Sequence, residues 1–357
     1  MSKPNLDQPF DYDLTEQVRS SGAPIVECYR VDDMLPIATV PSTGNKGLVG
    51  LDRTMLGRGA TDTLRPISSV STQARVVGKS GTQVSYRTQL MGTSDRVVER
   101  IGAAQSRENK RLKEGRAALQ DAAIGLFRMV SGLFVAGNFG GRTATLAAVT
   151  GGDGKHLGDA TCDIVRNLRA GRRAFRSGND YILPNRLIMS LEDLEIIAET
   201  NTTFRAAIKD TNDGYVTPDA ARRLLKILVG VDIVVKAAPS AGVNLWSGKM
   251  AYVCVPKGTP IEPYSTSDGA GADWTFPGVK STPMDGGDIE FGELTTAALI
   301  MQEFDESDIA AQTNGNPQTW GVSTWNERYT ELLNVALSPA PIIVDANAGY
   351  LLTATQG

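Results

Sequence analysis

The sequence predicts an α+β fold, and three observations carry that prediction. Leucines recur every seventh residue from Leu112 to Leu133, which indicates a long helix. Short apolar runs alternate with capped helices between residues 159 and 255, which indicates a compact α/β unit. Apolar runs at 291–304, 329–336 and 341–352 follow and are typical of strands. With 357 residues, of which 41% are hydrophobic, the chain can bury one or two cores.

The first ninety residues differ from the rest. Residues 1–41 hold five prolines and scattered acids without a sustained period, which predicts an extended arm. Residues 44–92 carry seven basic side chains, two acidic ones and a single aromatic, Tyr86, so this segment cannot bury a core of its own. Its second half alternates around turn residues 78–81, which predicts a hairpin of 70–76 with 84–90. Such β structure must lie on the surface of another subunit.

The long helix is predicted over residues 94–134. Its first half is charged and its second half apolar, so one end is exposed and the other is packed. Gly115, Gly125 and Gly132 favour a helix packed along a sheet, with a coiled coil as the alternative.

The α/β unit follows a glycine-rich connection that is typical of a flexible turn. A helix is predicted at 159–176 and strands at 186–189, 231–235 and 250–255. Ser190 is predicted to cap a helix that carries Asp193 at its third position, and Thr217 with Pro218 to begin another.

Charge is divided unevenly along the chain, whose net charge is −4. Residues 34–187 carry 23 basic and 11 acidic groups, whereas residues 188–357 carry 10 and 22. Residues 262–308 alone hold eleven acids and one lysine. Opposite exposed charges can fix the register of contacts between copies of one chain, although two merely solvated faces are the alternative.

Several function classes lack support in the sequence. The three cysteines, Cys28, Cys162 and Cys254, are far apart and have no metal-ligand spacing, so we expect neither a disulfide framework nor a zinc site, and a reducing compartment fits them. Residues 1–10 lack a signal pattern, and the most apolar run, 224–235, is too short to cross a bilayer. We therefore expect a soluble protein that does not act at a membrane.

Catalytic and cofactor motifs are weak throughout. His156 is the only histidine and lies in a glycine loop, where a solvated role is expected, and the loop lacks the Lys-Ser/Thr pair of a phosphate-binding loop. Asp305 and Asp308 could act as acid and base, but exposed carboxylates are the simpler interpretation. We predict no enzymatic activity, no metal and no cofactor. The competing hypothesis is a cytoplasmic α/β enzyme that uses Asp305, Asp308 or His156.

A stripe of arginines is the strongest candidate binding surface. Spacings of three and four place four side chains on one helical face: Arg166, Arg169, Arg173 and Arg176. Arginine suits phosphate or the carboxylates of a neighbour, so the stripe is predicted to contact either another subunit or nucleic acid without sequence specificity.

The order of these elements resembles the major capsid proteins of tailed double-stranded DNA bacteriophages, whose fold is called HK97-like. The resemblance is carried by the layout of the whole chain and by two stretches, DYILPNRLIMSLEDLEIIAETNTTFRAAI (180–208) and IIVDANAGYLLTAT (342–355). It implies an N-terminal arm (1–45), an extended loop (46–92), a peripheral domain with a long spine helix (93–180 and 291–340) and an axial domain (181–290 and 341–357).

The resemblance also implies a function. Identical subunits would form the hexamers and pentamers of an icosahedral shell that encloses double-stranded DNA, in the virion and, during assembly, in the host cytoplasm. A separate scaffolding protein and a portal would be partners, and whether a decoration protein binds stays open. An encapsulin-type compartment, which shares the fold and holds enzyme cargo, is the alternative.

Contacts between subunits are expected where the basic loop meets the acidic region. The predicted loop contacts are Arg53, Arg58, Arg65, Arg75, Lys79 and Arg87. The predicted acidic partners are Asp285, Asp288, Glu290, Glu293, Glu303, Asp305 and Asp308.

Overall fold

A computed structural model of the protein describes residues 11–20, 29–40, 45–52, 81–99, 104–177, 182–200, 204, 217–240, 243–256, 289–291, 293–304, 319–326 and 330–356. The helices are α1 (Tyr12–Ser20), α2 (Ala104–Leu133), α3 (Ile164–Ser177), α4 (Leu191–Thr200) and α5 (Pro218–Leu225). The first strands are β1 (Ile37–Val40), β2 (Lys46–Asp52), β3 (Gly81–Arg87), β4 (Met91–Gly92), β5 (Arg96–Glu99), β6 (Thr143–Thr145), β7 (Arg186–Ser190) and β8 (Asp232–Lys236). The others are β9 (Pro239–Ser240), β10 (Val243–Asn244), β11 (Lys249–Val253), β12 (Ile289–Phe291), β13 (Ala297–Gln302), β14 (Trp320–Asn326), β15 (Thr330–Leu337), β16 (Pro339–Ile343) and β17 (Gly349–Thr353).

A five-stranded sheet in the order β6-β17-β11-β7-β8 is the centre of the α/β unit. β7 pairs with β8 in parallel, and β11 is antiparallel to both β7 and β17. Both faces are covered: Leu187 and Met189 pack with α3, α4 and α5, whereas Ile188 packs with the C-terminal half of α2. The sheet is therefore the middle of three layers, as expected for strands that are apolar on both faces.

The local signals of this unit are confirmed. The Asp193 amide donates to Ser190 Oγ over 2.9 Å at the start of α4, and the Ala220 amide donates to Thr217 Oγ1 at the start of α5. A side-chain oxygen at these positions satisfies an amide that has no partner inside the helix. The strands predicted at 186–189, 231–235 and 250–255 are β7, β8 and β11 to within one or two residues.

The long helix lies along a sheet, as predicted. α2 packs against β15 and β5, which belong to a sheet that also contains β14 and β4. Leu119 and Leu126 are buried in this interface. The predicted start at residue 94 is wrong, because Arg96–Glu99 form strand β5 and pair with β15 more than two hundred residues later.

The extended-arm prediction is wrong for the described part of residues 1–40. Residues Tyr12–Ser20 form helix α1, which Asp11 caps by accepting the Leu14 amide over 2.9 Å. Leu14 and Val18 are buried against α2, and residues 30–40 are buried as well. These residues therefore pack within their own molecule.

The base of the basic segment also packs within its own molecule. β3 pairs antiparallel with β2, from Lys46 opposite Arg87 to Asp52 opposite Gly81, and β12 adds to the other side of β2. Val49 and Tyr86 enter the core, so the prediction of a coreless segment is wrong at its base. Residues 53–80, which include most of the predicted hairpin, lie outside the described residues.

The last apolar run, predicted as one element at 341–352, is split. β16 pairs with β13 in a three-stranded sheet with β1, and β17 joins the five-stranded sheet. The turn between them contains Asp345, whose Oδ1 accepts the Asn347 amide. Among the helices of the described segments, we find none with the length and apolarity that crossing a bilayer requires.

Candidate intersubunit surface

The structure describes one of the six predicted loop contacts. Arg53, Arg58, Arg65, Arg75 and Lys79 lie outside the described residues, and Arg87 lies on β3 with its side chain exposed. Arg87 stands opposite Lys46, which is also exposed, so two cations face each other across the β2–β3 pair. Like charges at directly opposite positions destabilise a strand pair. This face therefore favours an approaching anionic group.

Three of the seven predicted acidic partners fall on described backbone. Glu290 lies in β12 beside Gly50 of β2, while Glu293 and Glu303 have half-buried side chains. The other four, Asp285, Asp288, Asp305 and Asp308, lie outside the described residues. The structure thus brings residues 289–291 of the acidic region next to the base of the basic segment in one subunit.

The arginine stripe is present on helix α3 as predicted. Ile164, Leu168 and Phe175 face the five-stranded sheet and are buried. The opposite face carries four exposed arginine side chains: Arg166, Arg169, Arg173 and Arg176. The helix is held at both ends, because the Arg166 amide donates to Asp163 Oδ1 and Arg142 donates to the Phe175 carbonyl over 2.6 Å.

Backbone carbonyls orient three of these guanidinium groups. Arg166 Nε and Arg173 Nη2 each donate to the Gly151 carbonyl over 3.3 Å, and Arg169 Nε donates to the Leu228 carbonyl over 2.9 Å. Within the described residues, none of the three lies within 4 Å of a carboxylate. A guanidinium group has five N–H donors, so each keeps donors for a further acceptor.

The turn that follows α5 packs against helix α3, beside the arginine stripe. Residues Lys226–Gly230 form a single π-helical turn after α5, and Arg172 Nη1 donates to the Val229 carbonyl over 2.8 Å. Gly230 has a φ of 75°, and a Cβ there would lie 2.9 Å from Arg172 Nη1. A side chain at residue 230 would therefore be strained and would displace Arg172.

The glycine-rich connection before α3 is an ordered loop, not the flexible turn that its composition predicts. Buried Asn167 accepts the Asp153 amide over 2.7 Å and donates to Asp153 Oδ1 over 2.6 Å. Burial acts to raise the pKa of Asp153, but hydrogen bonds from the Asp163 amide and from Asn167 hold that pKa below its ordinary value. The loop thus fixes Gly151, the acceptor of two stripe arginines.

Among the candidate reactive side chains, the structure describes His156 and two of the three cysteines. His156 Nδ1 lies 2.8 Å from the Ala354 carbonyl, and burial raises the pKa of Cys162 and of Cys254 to about 12, so both are thiols at neutral pH. No group of three or more His, Cys, Asp or Glu side chains in the described residues could hold a metal ion.

A second charged stripe was not predicted. Glu192, Glu195 and Glu199 are exposed on helix α4, at spacings of three and four residues. Their spacing equals that of Arg166, Arg169 and Arg173 on α3. The rule that identified the arginines also identifies these glutamates when it is applied to residues 191–200.

The fold is similar to that of a solved phage-related protein, although the sequences have little in common. No protein-family model matches the chain, and no curated protein matches it in sequence. In particular, it is similar to a phage-related protein of Bordetella bronchiseptica over 98% of both chains, at 14% identity and with a TM-score of 0.60. This likeness confirms the α+β, HK97-like fold class.

Two more distant similarities are found. The capsid of the cyanophage P-SCSP1u has 9% identity over 100% of this chain and 91% of the other, with a TM-score of 0.45. A virus-like particle from Pyrococcus furiosus has 9% identity over 96% and 98% of the two chains, with a TM-score of 0.47.

Proposed function

We propose that this protein is the major capsid protein of a tailed double-stranded DNA bacteriophage. Its subunits form the hexamers and pentamers of an icosahedral shell that encloses the genome, and the protein acts without enzymatic turnover. It is found in the virion and, during assembly, in the host cytoplasm. Its partners are copies of itself, a separate scaffolding protein, a portal and the packaged DNA.

The observation that carries the proposal is the outer face of the β2–β3 pair. Lys46 and Arg87 are opposed and exposed, and the neighbouring Leu48 is 41% exposed. Like charges at directly opposite positions are unfavourable in an isolated subunit. A neighbour that supplies carboxylates would remove this penalty and would cover Leu48 as well.

The end-to-end fold likeness supports the same proposal. The similarity covers 98% of both chains, so nearly the whole of this chain aligns with that fold. We retain the division into an N-terminal segment (1–45), whose described part is packed and not extended, an extended loop (46–92), a peripheral domain (93–180 and 291–340) and an axial domain (181–290 and 341–357) as part of the proposal. Contacts between subunits would join the basic loop to the acidic region of a neighbour.

Charge reversal in the loop tests this function. The variant Arg58→Glu/Arg65→Glu/Arg75→Glu is expressed with the scaffold, and particle yield is measured by sedimentation. We expect particle yield to fall while the subunit keeps the circular dichroism spectrum of the wild type. A matched control, Lys110→Glu/Lys113→Glu/Arg116→Glu, makes the same charge change on α2.

The contents of purified particles test the genome-enclosing role. Nuclease-protected double-stranded DNA in particles from infected or induced cells supports the proposal. Particles that hold cargo enzymes and never DNA would instead identify a compartment of the encapsulin type. Unchanged yield of the loop variant would remove the role of loop charge.

A further inference from the structure

Helix α3 presents three arginines that have no carboxylate partner among the residues that the structure describes. Arg166, Arg169 and Arg173 are exposed and bonded to carbonyls only, within the described residues. At 1.5 Å per residue, the three span about 10 Å along the helix axis. Because the carbonyl bonds orient these side chains, little further side-chain entropy is lost when an anion binds.

Helix α4 presents an anionic face of the same period. Glu192 and Glu195 are exposed, and neither lies within 4 Å of a cationic side chain among the residues that the structure describes. Glu199 extends the exposed face by one turn. The buried side of α4 holds Leu194 and Ile197 against the core, so the glutamates point away from the sheet.

The two faces do not meet within one subunit. α3 packs over β17 and β11, with the turn Lys226–Gly230 beside it. α4 packs over β7 and β8, next to α5. Each subunit therefore carries two exposed, opposite and equally spaced rows of charge at different places on the same layer.

We propose that the arginine row of α3 in one subunit pairs with the glutamate row of α4 in a second copy of this chain. The inference rests on the proposed function, in which the subunits surround one another. The glutamate row has the opposite charge and the same spacing as the arginine row. A second copy of the chain can therefore supply the binding partner of the arginine row. Two different patches on each subunit make a heterologous contact, which closes into a ring when the rotation allows it.

The contact fixes register more than it adds affinity. Single exposed ion pairs contribute little, whereas complementary rows of charge suppress wrong partners and misaligned encounters. Two like rows brought together would repel. The pairing therefore selects one relative position of neighbouring subunits.

Charge exchange between the rows tests the proposal. The variant Arg166→Glu/Arg169→Glu makes two positions of the α3 row acidic, and the variant Glu192→Arg/Glu195→Arg makes two positions of the α4 row basic. We expect each alone to lower particle yield by about tenfold or more, because like charges then meet across the contact. The chain that carries all four changes restores opposite charges at every contact, in rings of five as well as of six, and should recover the yield to within about threefold. An equimolar mixture of the two variants restores them only where unlike subunits meet, so the mixture is followed by association between subunits.

Controls separate folding from association. Lys110→Glu/Lys113→Glu reverses two exposed cations of the same i, i+3 spacing on α2 and should leave the yield unchanged. Arg166→Gln/Arg169→Gln keeps amide donors for the Gly151 and Leu228 carbonyls and removes only the charge, so it should lower particle yield while preserving the thermal unfolding of the subunit. Failure of the chain with all four changes to recover the yield, with normally folded subunits, would overturn the pairing.

Two further outcomes are distinguishable. If Arg166→Glu/Arg169→Glu assembles normally but retains less DNA, the arginine row faces the genome and the inference is wrong. If the wild-type chain forms no particles, the proposed function fails. In that case, sedimentation velocity on the same variants still tests the pairing. Association in the mixture, and not in either variant alone, supports the pairing. No association in the mixture overturns it.

Discussion

Lys236 Nζ lies 2.5 Å from Asp33 Oδ2 in the protein interior, where the two residues join β8 to the segment that precedes β1. Lys236 also donates to the Arg30 carbonyl over 2.9 Å. Arg186 of β7 donates to the Asp33 carbonyl. The segment around Asp33 is thus bonded to the α/β unit through buried charges.

Lys236→Met should lower the free energy of unfolding by about 3–5 kcal/mol, because it leaves a buried carboxylate without its cation. Denaturant unfolding followed by circular dichroism measures the change. The double variant Lys236→Met/Asp33→Leu removes both charges and should be more stable than the single variant. A double variant as unstable as the sum of the two singles would show that the charges are not coupled.

Gly115 and Gly125 of helix α2 should respond oppositely to alanine. A Cβ at Gly115 would lie 2.7 Å from Val18 Cγ2, whereas a Cβ at Gly125 meets nothing within 4 Å. Gly125→Ala should stabilise the protein by about 0.5–1 kcal/mol through helix propensity. Gly115→Ala should lose that gain because α1 must shift, and thermal unfolding compares the two. Equal stabilisation by both would mean that α1 does not pack on α2 as described.

The titration of Asp193 should lower the free energy of unfolding as the pH rises. Burial raises the pKa of Asp193 above its ordinary value, although Gln356 and Thr355 donate to the side chain. The folded state therefore holds a proton that the unfolded state releases, so the free energy of unfolding falls as the pH increases from about 4 through the raised pKa. The unfolding midpoint measured against pH should show this slope.

Asp193→Asn is the matched control. Asparagine still accepts from Thr355 and carries no charge to bury, so the slope should disappear and stability at neutral pH should equal or exceed that of the wild type. Asp193→Ala removes the acceptor and should be less stable than Asp193→Asn. A pH slope that persists in Asp193→Asn would assign the effect to another group.

The titration of Lys249 should increase the free energy of unfolding as the pH rises. Burial lowers the pKa of Lys249 from 10.5 to about 8, while its ammonium group donates to the Ser131 carbonyl and lies 4.6 Å from the centre of the Trp246 ring. Between these two values the unfolded state binds more protons than the folded state, so the free energy of unfolding increases with pH in that window. Lys249→Met should flatten the curve, and an identical curve for the variant would refute the assignment.

Features that depend on neighbours in the sequence could be predicted from it. Ser190 and Thr217 cap helices through amides three residues ahead, so their identity and position suffice. The arginine row of α3 needs only the helical period. The general fold class follows from the alternation of such segments.

Features that depend on distant partners could not be predicted. Residues Arg96–Glu99 contain two β-branched valines that favour a strand, but four residues directly before a long helix are too few to identify one without the pairing with β15. Helix α1 has two buried apolar residues, Leu14 and Val18, and two positions are too few to reveal a helical period in the sequence. The carbonyls of Gly151 and Leu228 reach the arginine row through tertiary packing, which no local spacing encodes.

Electron microscopy of the chain expressed with its scaffold tests the central claim most directly, namely that neighbouring copies complete the subunit. We predict closed particles of uniform size in which residues 46–52 and 81–87 of each subunit are covered by a neighbour. A stable monomer under every condition of expression and scaffold would contradict the account.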